Sequence, residues 1–421
     1  MSTKMATKAN DSSRFPVRSE TSAELIASAK AMCPLLREQA ATAEEQGHYS
    51  PEVNQAMIDA GFYHMLAPLC YGGLETDLAT YSKVIIEMGR GDPGSAWNFA
   101  LGHGHVLTTA AYWTEPAQKA VFDTDNGYFR ASHSFVPSGT AKRVDGGLLV
   151  NARSPYQSGV TYSTHATVNV ELEADGDTPA QSVQVLLPVG QFEVMDDWGG
   201  DAVLGMRASG SNTVLVKDQI VPEYMAATGQ WLEKSEFLTS YGTELYGNSL
   251  FLGAWQGFTK LELCSVIIGA AWAAIDEYTK IAHARSSILP PYGQRSEHPI
   301  NQLHLGQAKM LTDSAEAIAM QCASLYARMS KDAVERGVPL TIAMDTRVFS
   351  MLAQAGKMAA EAVEILFRSG GSAAAKRDEP LQRYMRDVQM YRTHVAAQYD
   401  TNAMRIGAMH LGKAPSIFGD F

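Results

Sequence analysis

The sequence predicts an α+β chain, mostly α, in which one β-domain sits between two helical regions. Three observations carry this. Apolar residues recur every three or four positions from Ser22 to about Phe122, the period drops to two between about Gly127 and Pro222, and long helical patterns return from about Phe237. The expected boundaries are a disordered tail over 1–20, an N-terminal helical domain over 21–126, a β-domain over 127–235 and a C-terminal four-helix bundle over 236–421. At 421 residues the chain can bury a sizeable core in each unit.

The tail is rich in Ser, Thr, Lys and Asn and lacks the apolar core of a signal peptide. Ser22-Ala-Glu-Leu opens the first helix, with Leu25, Ala29, Met32 and Leu36 on one stripe. Ser50-Pro51-Glu52 joins an N-cap to a proline at the first helical position, and Gly61-Phe62 closes that helix. Pro68 and Tyr71-Gly72-Gly73 mark a turn, after which Tyr81, Val84, Ile85 and Met88 face one way. Asp92-Pro93-Gly94-Ser95 breaks the chain before Ala96-Trp97-Asn98-Phe99 starts another helix. In the β-domain, 141–150 reads as a hairpin turning at Asp145-Gly146-Gly147, and 167–171, 182–187 and 212–216 read as strands rich in valine and leucine. Patterns over 261–285, 303–336, 340–369 and 380–411 have the lengths of four bundle helices. They are more apolar than one layer of contacts requires, which predicts packing between subunits as well.

Net charge is −11 and no run of lysine or arginine stands out, which argues against nucleic acid and anionic membranes. Cys33, Cys70, Cys264 and Cys322 are far apart, with no metal-ligand spacing, and read as reduced thiols of a cytoplasmic protein. The most apolar stretch, 261–274, carries Glu262 and is too short to span a bilayer, so it reads as a buried helix of a soluble protein. Rossmann, P-loop, zinc-protease and serine-esterase fingerprints are all missing from the sequence.

Three clusters can carry chemistry. Over 381–400, Leu381, Met385, Val388, Val395 and Tyr399 form an apolar stripe, and beside it Arg383, Asp387, Met390, His394 and Gln398 form a second row. A solvated helix face is the plain reading of that row. Ser369-Gly370-Gly371-Ser372 precedes it, where backbone can approach a ligand closely. The second cluster is Trp97-Asn98-Phe99 followed by His103-Gly104-His105, either a polar helix end or a site. Two histidines two apart on a helix point to different faces, which argues against a shared metal. The third is Tyr156-Gln157-Ser158-Gly159, with Ser132, His133 and Ser134 one strand earlier. Arg285 ends the 261–285 helix, a place that suits a cation on dipole grounds alone.

The glycine pair, Leu381-Gln382-Arg383, Arg386-Asp387, His394 and Tyr399-Asp400 resemble, in that order, the C-terminal helix of one flavoenzyme family. Gly205-Met-Arg-Ala-Ser, running on to Ile220-Val221-Pro222, resembles the strand after that family's flavin site. The family is that of flavin-dependent monooxygenases with the acyl-CoA dehydrogenase fold, the oxygenase components of two-component aromatic hydroxylases. The resemblance runs from about Ala23 to the end. It implies an acyl-CoA dehydrogenase-like homotetramer that takes reduced flavin (FMNH2 or FADH2) from a separate NAD(P)H:flavin reductase. With O2 as co-substrate and no metal, a C4a-hydroperoxide would hydroxylate a phenolic or indolic small molecule. By the same resemblance His394 lies beside flavin C4a, Ser158 near N5, and His105 at the substrate, able to take the proton of a phenol. Ser134, Gly370 and Gly371 would complete the cofactor site, Arg285 would reach its phosphate, and Trp97 and Phe99 would line the substrate pocket, with Trp255 and Phe258 as further aromatics. His133 departs from a branch that has a serine run there, which bears on the substrate. Two alternatives stay open. One is an acyl-CoA dehydrogenase or oxidase, whose carboxylate base the run Tyr399-Asp400-Thr401-Asn402 would match with a shorter side chain and no glycine. The other is a helical oligomer that kept the fold without the flavin.

Overall fold

Five helices open the chain in the computed structural model, which describes residues 15, 18–124, 127–228, 234–288 and 290–413. Most of the tail expected over 1–20 lies outside the described residues. The helices are α1 (Ser22–Gln46), α2 (Pro51–Asp59), α3 (Leu78–Gly91), α4 (Pro93–Tyr112) and α5 (Glu115–Phe122). Their starts are set by local chemistry. Thr21 and Glu24 form a reciprocal capping box on α1, and the Ser50 hydroxyl accepts the Val53 N–H ahead of Pro51. Asp92 closes α3 and caps α4, its carboxylate accepting the Ser95 N–H at 2.9 Å.

The middle of the chain forms one seven-stranded sheet in the order β5–β6–β2–β1–β3–β4–β7. The strands are β1 (Ala131–Val144), β2 (Gly147–Ser154), β3 (His165–Leu172), β4 (Gln181–Pro188), β5 (Glu193–Val194), β6 (Val214–Val221) and β7 (Ala226–Thr228). β1 and β2 make the expected hairpin, with Val144 opposite Gly147. The strand expected at 212–216 starts two residues later and runs on to Val221. β1 pairs parallel with β3, and its register slips between His133 and Pro137. A parallel pair is joined by a crossover rather than a tight turn, so no local pattern announces it.

Helices then return as α6 (Tyr241–Tyr246), α7 (Trp255–Ala284), α8 (Pro299–Arg336), α9 (Ile342–Gly370), α10 (Pro380–Thr393) and α11 (Tyr399–His410). α7 packs on α8, α9 and α10, and α3 lies along it from the N-terminal side. Among the described residues α7 is the one helix long and apolar enough to cross a membrane, and the protein buries most of it instead. All four cysteines are free.

The structure corrects the helix expected over 380–411. It breaks at His394, which is extended (φ −65°, ψ 138°); a single 3₁₀ turn over Val395–Ala397 follows, and helix resumes at Tyr399. The cause is local. The His394 ring accepts the Ala396 N–H at 3.1 Å, and the Ala396 carbonyl is taken by Lys260 at 2.7 Å, so both polar groups of that residue are withdrawn from the α-ladder. Val395, expected on the buried stripe, is therefore 81 % exposed. Of the second row, Arg383 and Asp387 are buried rather than solvated. Glu44 of α1 receives both Arg383 (3.4 Å) and Arg386 (2.8 Å), while the Asp387 carboxyl accepts the Met206 N–H at 2.6 Å. Helix α10 is thus tied at once to α1 and to the loop ahead of β6.

Candidate active site

Helix α4 supplies the spine of the site. Trp97, Leu101 and His105 follow one another at steps of four, so they share a face. The Trp97 indole N–H donates to the Ser158 hydroxyl at 3.1 Å, and Ser158 in turn bonds the Ser211 hydroxyl at 2.7 Å. Ser158 belongs to a tight turn after β2. Tyr156 there has φ +60°, a left-handed conformation that costs energy in a residue other than glycine, and Gly159 (φ +77°) passes so close to Asn98 and Gly102 that a Cβ would collide with them. The Gln157 and Gly159 N–H groups donate to the carbonyls of Asn212 (3.2 Å) and Ser209 (2.9 Å), which fixes the turn against the loop before β6.

His394 meets the other side of Trp97, edge to face with ring centroids 5.5 Å apart, and Tyr391 closes in at 6.4 Å. Because His394 Nδ1 accepts a backbone N–H, the neutral ring carries its proton on Nε2. Burial pushes this imidazole down to about 4, and the Lys260 ammonium adds to the shift. At neutral pH His394 is an uncharged hydrogen-bond donor.

Two turns along the same face, His105 Nδ1 donates to the Ala131 carbonyl at 2.8 Å. That bond fixes the opposite tautomer, with Nε2 as the acceptor, and burial holds the ring neutral at about 4. His105 lies edge-on to His133 (5.2 Å), His133 packs on Phe135 (4.4 Å), and Phe135 on Trp255 (5.1 Å). Burial pushes His133 down to about 3, with His105 contributing. Its ring lies within reach of the Asn169 side chain, and the Ser132 hydroxyl, one residue earlier and so on the opposite face of β1, is buried without a hydrogen-bond partner among the described residues.

The far side of α4 is structural. Phe99, expected in the pocket, turns away from Trp97 and packs among Phe62, Tyr63, Tyr81 and His103. Phe258 stacks on Tyr81 in the same core. Gly102 leaves room for the buried Arg130 guanidinium, which reaches Tyr49 (2.8 Å), Tyr63 (2.9 Å) and the Asn98 carbonyl (3.1 Å). Gly104 leaves room for the buried carboxyl of Glu262, which bonds Tyr81 at 3.0 Å. Burial raises that carboxyl well above its ordinary range.

The remaining expected residues stand apart from Trp97, Ser158 and His394. The Ser134 hydroxyl accepts the Val136 N–H at 3.4 Å, and as the neighbour of His133 it falls on the opposite face of β1. Arg285 caps α7 at its far end and pairs with Glu379 at 3.4 Å. Gly370 and Gly371 close α9, where Arg295 donates to the carbonyls of Ser369 (3.0 Å) and Gly370 (3.1 Å). Beside them His304, Gln307, Ile365, Arg368 and Ser369 line a cleft of about 240 Å³. The sequence reading missed Arg295 and Lys260. Lys260 left a signal, a lysine inside the apolar run that begins α7; Arg295, in a polar loop, left none.

These residues fit a flavin. A cleft of about 250 Å³, lined by Pro155, Tyr156, Trp198, Ser211 and Thr213 among others, opens beside the Ser158–Ser211 pair. Trp97 reaches Ser158 from α4, and His394 lies against Trp97. Aromatic walls, hydroxyls and an imidazole N–H suit a planar ring with polar edges. Among the described residues there is no group of three or more metal-ligating side chains.

Comparison with known proteins agrees with this architecture. Residues 20–122 match the N-terminal domain model of the acyl-CoA dehydrogenases and residues 261–399 the C-terminal domain model. The oxygenase subunit HsaA of a flavin-dependent monooxygenase from Rhodococcus jostii is 25 % identical over 87 % of this chain and 92 % of its own. The oxygenase component of p-hydroxyphenylacetate 3-hydroxylase from Acinetobacter baumannii is 24 % identical over 91 % and 87 %. XiaF from Streptomyces, solved in complex with FADH2 and glycerol, superposes with a TM-score of 0.83 at 25 % identity, covering 94 % of this chain and 96 % of its own. With the two domain models spanning more than half of its length and such relatives matching along nearly all of it, the chain belongs to the acyl-CoA dehydrogenase family, and within it stands with the flavin-dependent monooxygenases.

Proposed function

We propose that the chain is an oxygenase component that takes reduced flavin, FMNH2 or FADH2, from a separate NAD(P)H:flavin reductase and hydroxylates a small phenolic molecule with O2. One observation carries the choice of substrate: two neutral imidazoles, His105 and His133, meet at 5.2 Å, and the Nδ1–H bond of His105 to the Ala131 carbonyl leaves its Nε2 as an acceptor. His105 Nε2 can accept the proton of a phenol, and His133 can donate to the same oxygen. Bound flavin supplies the activation of O2. The chain's own residues bind and orient it through Ser158, place the Nε2–H of His394 against it, and keep water out with the Trp97 and Tyr391 rings. Gly370, Gly371 and Arg285, by contrast, would serve the cofactor's phosphate end, with Arg295 and His304 beside them.

The acyl-CoA dehydrogenase alternative loses its base, since Asp400 is exposed in the first turn of α11. A homotetramer forms part of this proposal: Ile288, Tyr292, Leu303 and Met310 stand exposed around the α7–α8 connection. So does a cytoplasmic location, where free thiols persist. The test is a panel of phenols and indoles, incubated with the protein, FMN or FAD, NADH and a generic flavin reductase. Hydroxylated phenol accumulating with little H2O2 is the expected result. Oxygen uptake ending wholly as H2O2 with every substrate, or NADH oxidation by the chain alone, would overturn the proposal.

A further inference from the structure

The scheme above leaves one buried cation without a task. Lys260 is fully buried on α7, where an ammonium survives only if something holds it. Its Nζ donates to the Tyr391 hydroxyl at 2.9 Å and to the Ala396 carbonyl at 2.7 Å, and it lies over the rings of Tyr391 (5.1 Å) and Phe349 (5.5 Å). A hydroxyl, a carbonyl and two π faces make a weak cage for a charge. A hydrophobic residue would fill the same space at less cost. What the ammonium adds is a grip on the 3₁₀ turn behind His394. Ala396 gives its carbonyl to Lys260 and its N–H to His394 Nδ1, so a single residue links the cation to the imidazole.

We infer that Lys260 is a positioning residue for His394, holding the Ala396 turn so that the imidazole stays uncharged, Nε2-protonated and aimed past Trp97. The seat is built for it. Tyr391 OH lies so close over Gly356 of α9 that a Cβ there would collide with it, so the Lys260–Tyr391 pair depends on a glycine from a third helix. The other charged or titratable groups near His394 have partners elsewhere or carry no charge. Arg392 turns to Glu364 at 3.1 Å, and Arg405, beyond Phe349, donates to Gln256 at 2.9 Å. Cys264, one turn along α7, is held as a neutral thiol by burial, and Tyr391 stays un-ionised for the same reason. Lys260 is therefore the neighbouring cation that adds to burial in keeping His394 uncharged.

The importance of this for oxygen transfer rests on the monooxygenase reading; the link between Lys260 and the His394 ring does not. Histidine C2-hydrogen exchange followed by mass spectrometry reads the titration of each imidazole in the intact, flavin-free protein. In the natural protein the His394 midpoint should lie well below the ordinary histidine range. Lys260→Met should raise it by about one pH unit or more, the scale of a lost neighbouring charge, and hydrogen–deuterium exchange of the 394–398 backbone should quicken. Lys260→Arg should keep the low midpoint. Should Lys260→Met not fold, Lys260→Gln replaces it, since it can still donate to Ala396 but carries no charge. A folded neutral variant with an unmoved His394 midpoint overturns the inference. Diversion of O2 from hydroxylation to H2O2 in Lys260→Met, with Lys260→Arg rescued, would extend it to catalysis. A failed substrate panel with the midpoint shift intact would reject only the proposed reaction.

Discussion

Replacing His105 by asparagine separates its structural bond from its chemistry. The ring makes one bond that shapes the site, Nδ1–H to the Ala131 carbonyl at 2.8 Å, and an asparagine amide N–H can make the same bond from nearly the same place. What asparagine lacks is the basic Nε2. If His105 only shaped the pocket, keeping the bond should hold the loss below about 1 kcal/mol, roughly fivefold. If Nε2 takes the phenolic proton in the reacting step, the loss should be about 10²–10⁴-fold. Since burial holds the ring to about 4, this base stays available from neutral pH down to about 5 and is lost only as pH falls towards 4. The assay is single-turnover formation of hydroxylated phenol, with H2O2 measured alongside. The expected result is a drop of at least about 100-fold in product, a matching rise in H2O2, and unchanged flavin binding. An asparagine variant within about fivefold of the natural protein would remove His105 from the chemistry.

Three further outcomes follow from the same region. Ser158→Ala takes away the acceptor of the buried Trp97 N–H and should weaken FMN binding by about 1 kcal/mol, roughly fivefold in Kd by fluorescence quenching; an unchanged Kd would place Ser158 outside the cofactor site. Glu262 is neutral in the folded protein and charged when unfolded above its ordinary range. Its folded value is raised, so the stability it gives is whole below about 4.5 and falls as pH rises, by up to about 1.4 kcal/mol per unit. Urea unfolding at pH 5.5 and 7.5 should show that loss in the natural protein, and less of it in Glu262→Gln. Gly104→Ala drives a Cβ into the Glu262 carboxyl and should cost on the order of 1–3 kcal/mol, as overpacking does, with partial rescue in the Gly104→Ala/Glu262→Ala double variant; a neutral Gly104→Ala would mean that α4 shifts freely.

Much of this fold was legible because its signals are local. The cap at Ser50-Pro51, the Asp145-Gly146 hairpin and the apolar spacing of α3 depend on neighbours in sequence, and the structure keeps them, while the break read at 92–95 is itself the cap and first turn of α4, which starts at Pro93 rather than Ala96. The site was legible where two members share one helix face, as Trp97 and His105 do. It failed where the deciding partner is distant. Phe99 fits a pocket by type, but its placement depends on Tyr63 and Tyr81. The break at His394 could not be read from 380–411, whose spacing is helical throughout, because the group that takes the Ala396 carbonyl lies on α7. His133 was noticed as a departure, yet only the fold pairs it with His105, which lies on α4.

Gly102 and Gly104 of α4 have a mechanical consequence. A smooth helix can slide or turn about its axis against its neighbours at little cost. This one is notched on two different faces, once for the Arg130 guanidinium and once, two residues on, for the Glu262 carboxyl, and those groups act as pins in two keyways. A turn of about 20° would sweep a side-chain tip roughly 6 Å from the axis through about 2 Å, enough to part His105 from the Ala131 carbonyl. The aim of the imidazole is thus indexed from other faces of the helix, by residues outside the pocket proposed for the substrate. Selection for a new regiochemistry should therefore return changes at 102, 104, 130 and 262 alongside changes in the pocket itself.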